Sequence, residues 1–147
     1  MVDLDDVKRL AEGDHHLAVL TTTRPDGSVH ASVVSAGVIA DPVDGAPSVG
    51  LVARGNSRKL PLLRAGGRAT IVFKDGYQWA AVSGPTRLIG PDDGLEHGLD
   101  VADLIRTVYR AAGGDHEDWA EFDRVMAEDR RCAVFVRADR VVSNPGG

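Results

Sequence analysis

His16-Leu17-Ala18-Val19-Leu20-Thr21-Thr22, then Arg24-Pro25-Asp26-Gly27, then Ser28-Val29-His30-Ala31-Ser32-Val33-Val34 follow one another with almost nothing between them. Two runs rich in β-branched residues flank a Pro-Asp-Gly turn, and Asp-Gly in that setting is a strong short-range hairpin signal. The first strand is expected over 16–22. The second starts at Ser28 or Val29 and reaches about Ala40.

The same alternation of strand and turn continues downstream. Asp41-Pro42-Val43-Asp44-Gly45 reads as a turn before a strand over 47–52, and Ala69-Thr70-Ile71-Val72-Phe73 reads as a fourth strand. Asp75-Gly76 then turns the chain into a fifth, from Tyr77 or Gln78 to Leu88. Five strands joined by short turns favour an antiparallel sheet or barrel over a doubly wound parallel sheet.

Helices are expected at both ends. Asp3 can cap a first helix carrying Leu4, Val7 and Leu10, with Gly13 as its stop. Leu95, Leu99, Ala102, Ile105 and Tyr109 fall on one face of a second helix that ends at Gly113-Gly114. Asp115 can cap a third, running to about Arg131, with Trp119, Phe122 and Met126 as an apolar stripe best read as core packing. Its acids come early and its arginines late, which matches the helix dipole. A last strand over 132–137 leads to a tail, Ser143 to Gly147, expected to fray. No linker, repeat or low-complexity tract divides residues 1–147, so one domain is expected.

The 147 residues are enough to bury about two-thirds of the unfolded surface. Aromatic content is only 5%, so the core must be aliphatic. A net charge of −5 argues against general nucleic-acid binding. The one cysteine, Cys132, excludes an intramolecular disulfide and sits in an apolar run that suits a buried, inert thiol. The start of the chain lacks an apolar signal-peptide core, and no run approaches the ~18–20 apolar residues of a membrane span. A cytoplasmic protein without membrane attachment is the simplest expectation.

Charge is unevenly placed. Between Val52 and Lys74 the chain carries Arg54, Arg58, Lys59, Arg64, Arg68 and Lys74 and no acidic residue. Segregated positive charge can form a local anion site under a negative overall field, or it can be a solvated loop. Asn56 or Ser57 can cap a short helix with Ser57, Arg58 and Lys59 in its first turn, where free N–H groups and the helix dipole attract an anion. Pro61, expected in the second turn, would remove a backbone donor there and delay or bend the helix. The five histidines (His15, His16, His30, His97 and His116) show no metal-ligand spacing, and His15-His16 on a strand would point to opposite faces. Neither a nucleophile elbow nor a Gly-rich nucleotide loop is present, so a hydrolase or metalloenzyme has little support.

The order of Leu17 to Thr22, Asp26 to Val34, the basic stretch Arg54 to Arg64, and Gln78-Trp79-Ala80-Ala81-Val82-Ser83-Gly84 resembles the split-barrel flavin and deazaflavin oxidoreductases, relatives of pyridoxamine 5′-phosphate oxidase. Asp115 to Trp119 and Asp129-Arg130-Arg131 extend the resemblance over nearly the whole chain, and it looks closest to the actinobacterial branch that uses coenzyme F420. The resemblance implies a mainly β, α+β fold: a six-stranded antiparallel split β-barrel flanked by helices, forming a homodimer with two cofactor sites at the interface.

By the same resemblance, Ser32, Val33, Val34 and Ser35 match the strand whose backbone lies along the cofactor ring. Asn56, Ser57, Arg58 and Lys59 match the phosphate side, with Lys59 the best match to the basic cofactor-binding residue, and Arg54 before them is also expected at the cofactor. Trp79 matches a strand position that can face the ring or substrate, across a dimer or not; a core or interface tryptophan reads equally well. Two features depart from the family. Pro61 replaces the usual polar or basic residue, and the C-terminal elements that bind a vitamin B6 phosphate are lacking.

The implied activity is that of an F420-dependent reductase passing hydride to a small electrophilic organic substrate, with no side chain required as nucleophile and no metal. An FMN-dependent oxidoreductase and a non-catalytic deazaflavin carrier are the alternatives.

Overall fold

The computed structural model describes residues 3–144. The hairpin forms as its turn chemistry dictates. Strand β1 (Leu17–Thr23) pairs antiparallel with β2 (Val29–Val38), Leu20 opposite Ser32 and Val19 opposite Val33. Asp26 accepts from the backbone N–H of Ser28, 2.9 Å, and Gly27 takes a left-handed φ of 86°. Helix α1 (Leu4–Gly13) precedes it, capped by Asp3 in a reciprocal box with Asp6.

After β3 (Ser48–Ala53) come α2 (Lys59–Gly66), β4 (Arg68–Asp75) and β5 (Gln78–Ile89). The rest is α3 (Gly94–His97), α4 (Val101–Ala111), α5 (Trp119–Glu128), β6 (Cys132–Arg137) and β7 (Arg140–Ser143). Six strands run in the order β4-β1-β2-β3-β6-β5 and close into a barrel through the β4–β5 pairing. The fold is therefore the expected α+β, six-stranded antiparallel closed barrel with helices, plus one further strand. Strand β5 serves three neighbours: β4 along Gln78–Pro85, β7 along Ala80–Ser83, and β6 along Thr86–Ile89. Gly84-Pro85 marks the point where it leaves one partner for the next.

The run Cys132 to Val136 explains how barrel and helices share one core. Cys132, Val134 and Val136 pack inside the barrel with Leu20, Leu51, Ile71, Phe73 and the α2 residues Leu60 and Leu63. Ala133 and Phe135 point outward against Leu104, Ile105, Val108 and Phe122 of α4 and α5. A strand buried on both faces reads as a continuous apolar run, and this one does. Burial pushes the Cys132 thiol up to about 11, as suits an inert core residue. Gly37 lets α4 dock on β2, because a Cβ there would lie 1.8 Å from the Ala111 carbonyl oxygen.

Several expectations need correction. The single helix drawn through Leu95 and Tyr109 is two, because the chain turns at Gly98 (φ 66°) and Asp100 caps α4 by accepting from the Asp103 N–H. Leu95 is fully exposed and Ala102 is exposed; Ile105 is buried as expected, and Leu104 and Val108 complete the buried face with it. Here the stop-and-cap signal outweighed the apolar period. Helix α5 is capped by Asp118, not Asp115, whose carboxylate accepts from the His116 N–H, and it ends at Glu128.

Neither Asn56 nor Ser57 caps α2. Arg58 holds the cap position without a side-chain bond, so Ser57 and Arg58 precede the helix and Lys59 is its first residue. Pro61 thus lies in the first turn, where its missing donor costs little. His15 and His16 are not on a strand: both adopt left-handed backbone (φ 56° and 60°) ahead of β1. Strand β7 was not expected, since four residues with no flanking turn signal owe their pairing to β5. Ser143 belongs to it, and Asn144 accepts from the Trp79 N–H (3.2 Å) and donates to the Tyr77 carbonyl (3.3 Å), so neither frays. The remaining tail residues, 145–147, lie outside the described residues.

Candidate functional site

A cleft of about 720 Å³ opens between β2, the segment after β3, and the ends of α4 and α5. Val33, Val34 and Ser35 of β2 form one part of it, and Val52 and Ala53 continue it along β3. Arg54, Asn56, Ser57 and Lys59 follow where the chain turns out of the barrel into α2. That turn is held by Ser57 N–H donating to Arg54 O (3.0 Å) and Leu60 N–H to Ser57 O (3.3 Å).

The remaining lining is contributed by α4 and α5. Tyr109, Phe122 and Met126 make it apolar and aromatic, and Gly113, Gly114 and His15 complete it. Tyr109 and Phe122 meet at a tilt with their centroids 4.8 Å apart, and Trp119 meets Phe122 edge-on at 5.1 Å. Arg110 lies 4.4 Å over the Trp119 ring, so the wall is braced from behind. Sequence reasoning assigned Phe122 and Met126 to packing alone. Both pack, and both also line the cleft. The available signal was density, since three of the chain's seven aromatic residues fall between Tyr109 and Phe122.

The charge on the cleft has one sign. Arg54, Lys59 and Arg131 line it and no carboxylate does. Among the described residues Arg54, Arg58 and Lys59 form no ion pair, whereas Arg131 reaches Asp129 at 3.3 Å. Burial holds the Lys59 ammonium below the usual lysine range, because little solvent or counter-charge stabilises its protonated form. A flat ring against the aromatic wall and an anionic group near Lys59 would satisfy both parts of the site at once.

Of the residues singled out from sequence, Val33, Val34, Arg54, Asn56, Ser57 and Lys59 come together here. Ser32, Arg58 and Trp79 do not line the cleft. Ser32 shares the barrel-facing side of β2 with His30, and its Oγ is buried without a partner. Arg58 is exposed beside the cleft. Trp79 lies on the outer face of the sheet, where its alternation places it with Ala81 and, across strands, with Val72, Val19 and Val33. Among the described residues no three potential metal ligands gather anywhere.

No known family's sequence model matches the chain. Solved structures do match its fold. A conserved hypothetical protein from Mycobacterium tuberculosis aligns at TM-score 0.67 and 20% identity, over 97% of this chain and 84% of that one. A pyridoxamine 5′-phosphate oxidase-related, FMN-binding protein from Nostoc punctiforme aligns at 0.62 and 12%, over 95% and 82%. An F420 reductase aligns at 0.57 and 15%, over 86% and 88%. At these identities the likeness is one of fold alone, a barrel shared with structures that include a pyridoxamine 5′-phosphate oxidase-related protein and an F420 reductase.

Proposed function

We propose that this protein binds a deazaflavin of the F420 type in the cleft and serves its hydride transfer to a small electrophilic organic molecule. The observation that carries the reading is the convergence, in one cleft, of an aromatic wall with Lys59 and Arg54, cations that no carboxylate neutralises. When bound, a reduced deazaflavin supplies a hydride; orientation and electrostatics fall to the protein.

The chain's own residues have definite tasks in this reading. Tyr109 and Met126 press on the flat part of the ligand, with the buried Phe122 packed against Tyr109, and exclude water from it. The backbone of Val33 and Val34 runs along the ring edge. Lys59, already desolvated, regains on binding an anion the stabilisation that burial removed. Asn56 and Ser57 present short polar side chains at the same corner. Arg58, being exposed, adds only to the long-range field. No carboxylate lines the cleft, and in this reading the substrate proton is drawn from solvent.

Trp79 enters through a second copy of the chain. Val29, Val33, Leu17, Trp79 and Val142 leave large apolar surface exposed, Val33 at 68%. A homodimer covering that face would bury Val33 beside the cleft and bring the partner's outer sheet to its mouth. Sedimentation equilibrium tests this, and a monomer at micromolar concentration would remove Trp79 from the site.

An FMN-dependent oxidoreductase is the second reading. A groove that shares Arg54 and Asn56 with the cleft is lined by Glu128 and Asp129 as well as Arg130, so beside the cations a long polyanionic tail would meet two carboxylates there. A single phosphate stops short of them. Titration of the purified protein with F420 and with FMN decides between the two. Selective F420 binding supports the first reading, selective FMN binding the second, and binding of neither ends both. Holo-protein that transfers hydride to no acceptor would be a carrier.

A further inference from the structure

Arg131 is the one arginine or lysine in the cleft from outside the basic segment. A guanidinium carries five N–H donors, yet among the described residues this one contacts only Asp129, through Nη2 at 3.3 Å. Its Nε is buried and has no acceptor, and the side chain is 20% exposed. A charged donor kept from water without a partner is costly, and such a cost persists where a ligand can relieve it.

The placement is built by close packing of two turns. Gly55 N–H donates to the Asp129 carbonyl at 3.1 Å, and a Cβ on residue 55 would come within 2.5 Å of the Arg130 carbonyl oxygen. Arg130 itself is left-handed (φ 50°) and ion-paired to Asp92. The turn that delivers Lys59 to the cleft is thereby locked to the turn that delivers Arg131. Two cations distant in sequence become two walls of one corner.

We propose that Arg131 is a specificity-determining residue that grips the anionic tail of the ligand, a phosphate monoester or diester, together with Lys59. This rests on the cleft being a flavin or deazaflavin site. The planar fork of a guanidinium suits two phosphate oxygens, whereas the Lys59 ammonium acts as a point charge. Arg131 would then set the preference for a phosphorylated ligand over the same ring without its phosphate.

Calorimetric titration of the full chain with FMN and with riboflavin, which differ by the phosphate alone, reads this preference directly. F420 and its tail-free deazaflavin alcohol form the parallel pair. Arg131→Met is expected to weaken binding of the tailed ligand by about 10- to 150-fold. The tail-free ligand should change by no more than about twofold. Arg131→Lys should recover part of the loss. Equal loss for both members of a pair would mean a structural role and overturn the proposal, as would no loss for either.

Thermal unfolding in inorganic phosphate separates this result from the functional reading. If no flavin or deazaflavin binds but phosphate stabilises the wild type and not Arg131→Met, the anion grip stands and the proposed function falls. If phosphate stabilises neither and no tailed ligand binds, both fall.

Discussion

Two corners of this barrel gather charged side chains and use them in opposite ways. At the turn after β2, Asp41 is only 8% exposed and accepts from the amides of Val43 (2.8 Å) and Asp44 (3.2 Å) and from Arg87 Nε (2.7 Å). Asp44 in turn meets Arg87 and Arg137. Burial pushes the Asp41 carboxyl up, but the bonds from Arg87 and the two amides outweigh it and hold it below the usual carboxylate range. At the other corner Arg54 and Lys59 face a cleft with no carboxylate at all. Paired charge holds a turn; the half-buried Lys59, without an ion pair among the described residues, is left free to meet an anion. The difference can be broken experimentally from either side.

The largest effect is expected at the paired corner. Asp41→Ala leaves Arg87 without its closest acceptor and two amides unbonded, and should lower stability by about 2–4 kcal/mol in urea unfolding. Ligand affinity should hold. A loss under about 1 kcal/mol would mean that the network behaves as an ordinary surface ion pair.

Next comes Lys59→Ala, with the opposite signature. Affinity for a phosphorylated ligand should fall by roughly 1.5–3 kcal/mol. Stability should hold or rise, since the variant no longer buries an ammonium without a counter-charge. Unchanged affinity in titration would take Lys59 out of the site.

Changing pH sharpens the contrast more gently. Asp41 has a depressed folded value, so its contribution to stability is complete above the ordinary carboxylate range and is lost as pH falls through the lowered value. Acid unfolding of Asp41→Asn should lack that component. Lys59 is also depressed, so the folded state carries its protonation cost at neutral pH and sheds it as pH rises. Affinity for the anionic ligand should therefore decline on the alkaline side, beginning below the usual lysine range. Affinity that stays flat there would contradict a protonated Lys59 at the anion.

The smallest effect is expected at Arg58. It is exposed, without an ion pair among the described residues, and outside the cleft lining. Arg58→Ala should change stability and affinity by less than about 0.5 kcal/mol each, the affinity part vanishing in high salt. A larger, salt-resistant loss would show that the side chain reaches the ligand.

Much of the fold was legible because its signals are local. Asp26-Gly27 and Asp75-Gly76 specify turns wherever they stand between β-branched runs, and the two-sided apolar run at Cys132–Val136 announces a strand buried on both faces. Local signals also explain the errors. An apolar period drew one helix through Gly98, and two adjacent polar residues, Asn56 and Ser57, looked like caps for a helix that begins without them.

The candidate site divides in the same way. The chain's sequence determined by itself that positive charge is segregated between Val52 and Lys74, because side-chain charge does not depend on folding. Only the tertiary structure decided which cations meet: Lys59 enters the cleft and the adjacent Arg58 does not. Arg131 joins from the far end of the chain through the contact of two turns. The same holds for Tyr109 and Phe122, whose spacing alone is that of any packed helix. Periodicity says which face of an element is apolar. What that face is apolar toward depends on barrel closure and on where α4 and α5 dock, both set by contacts between residues far apart in the chain.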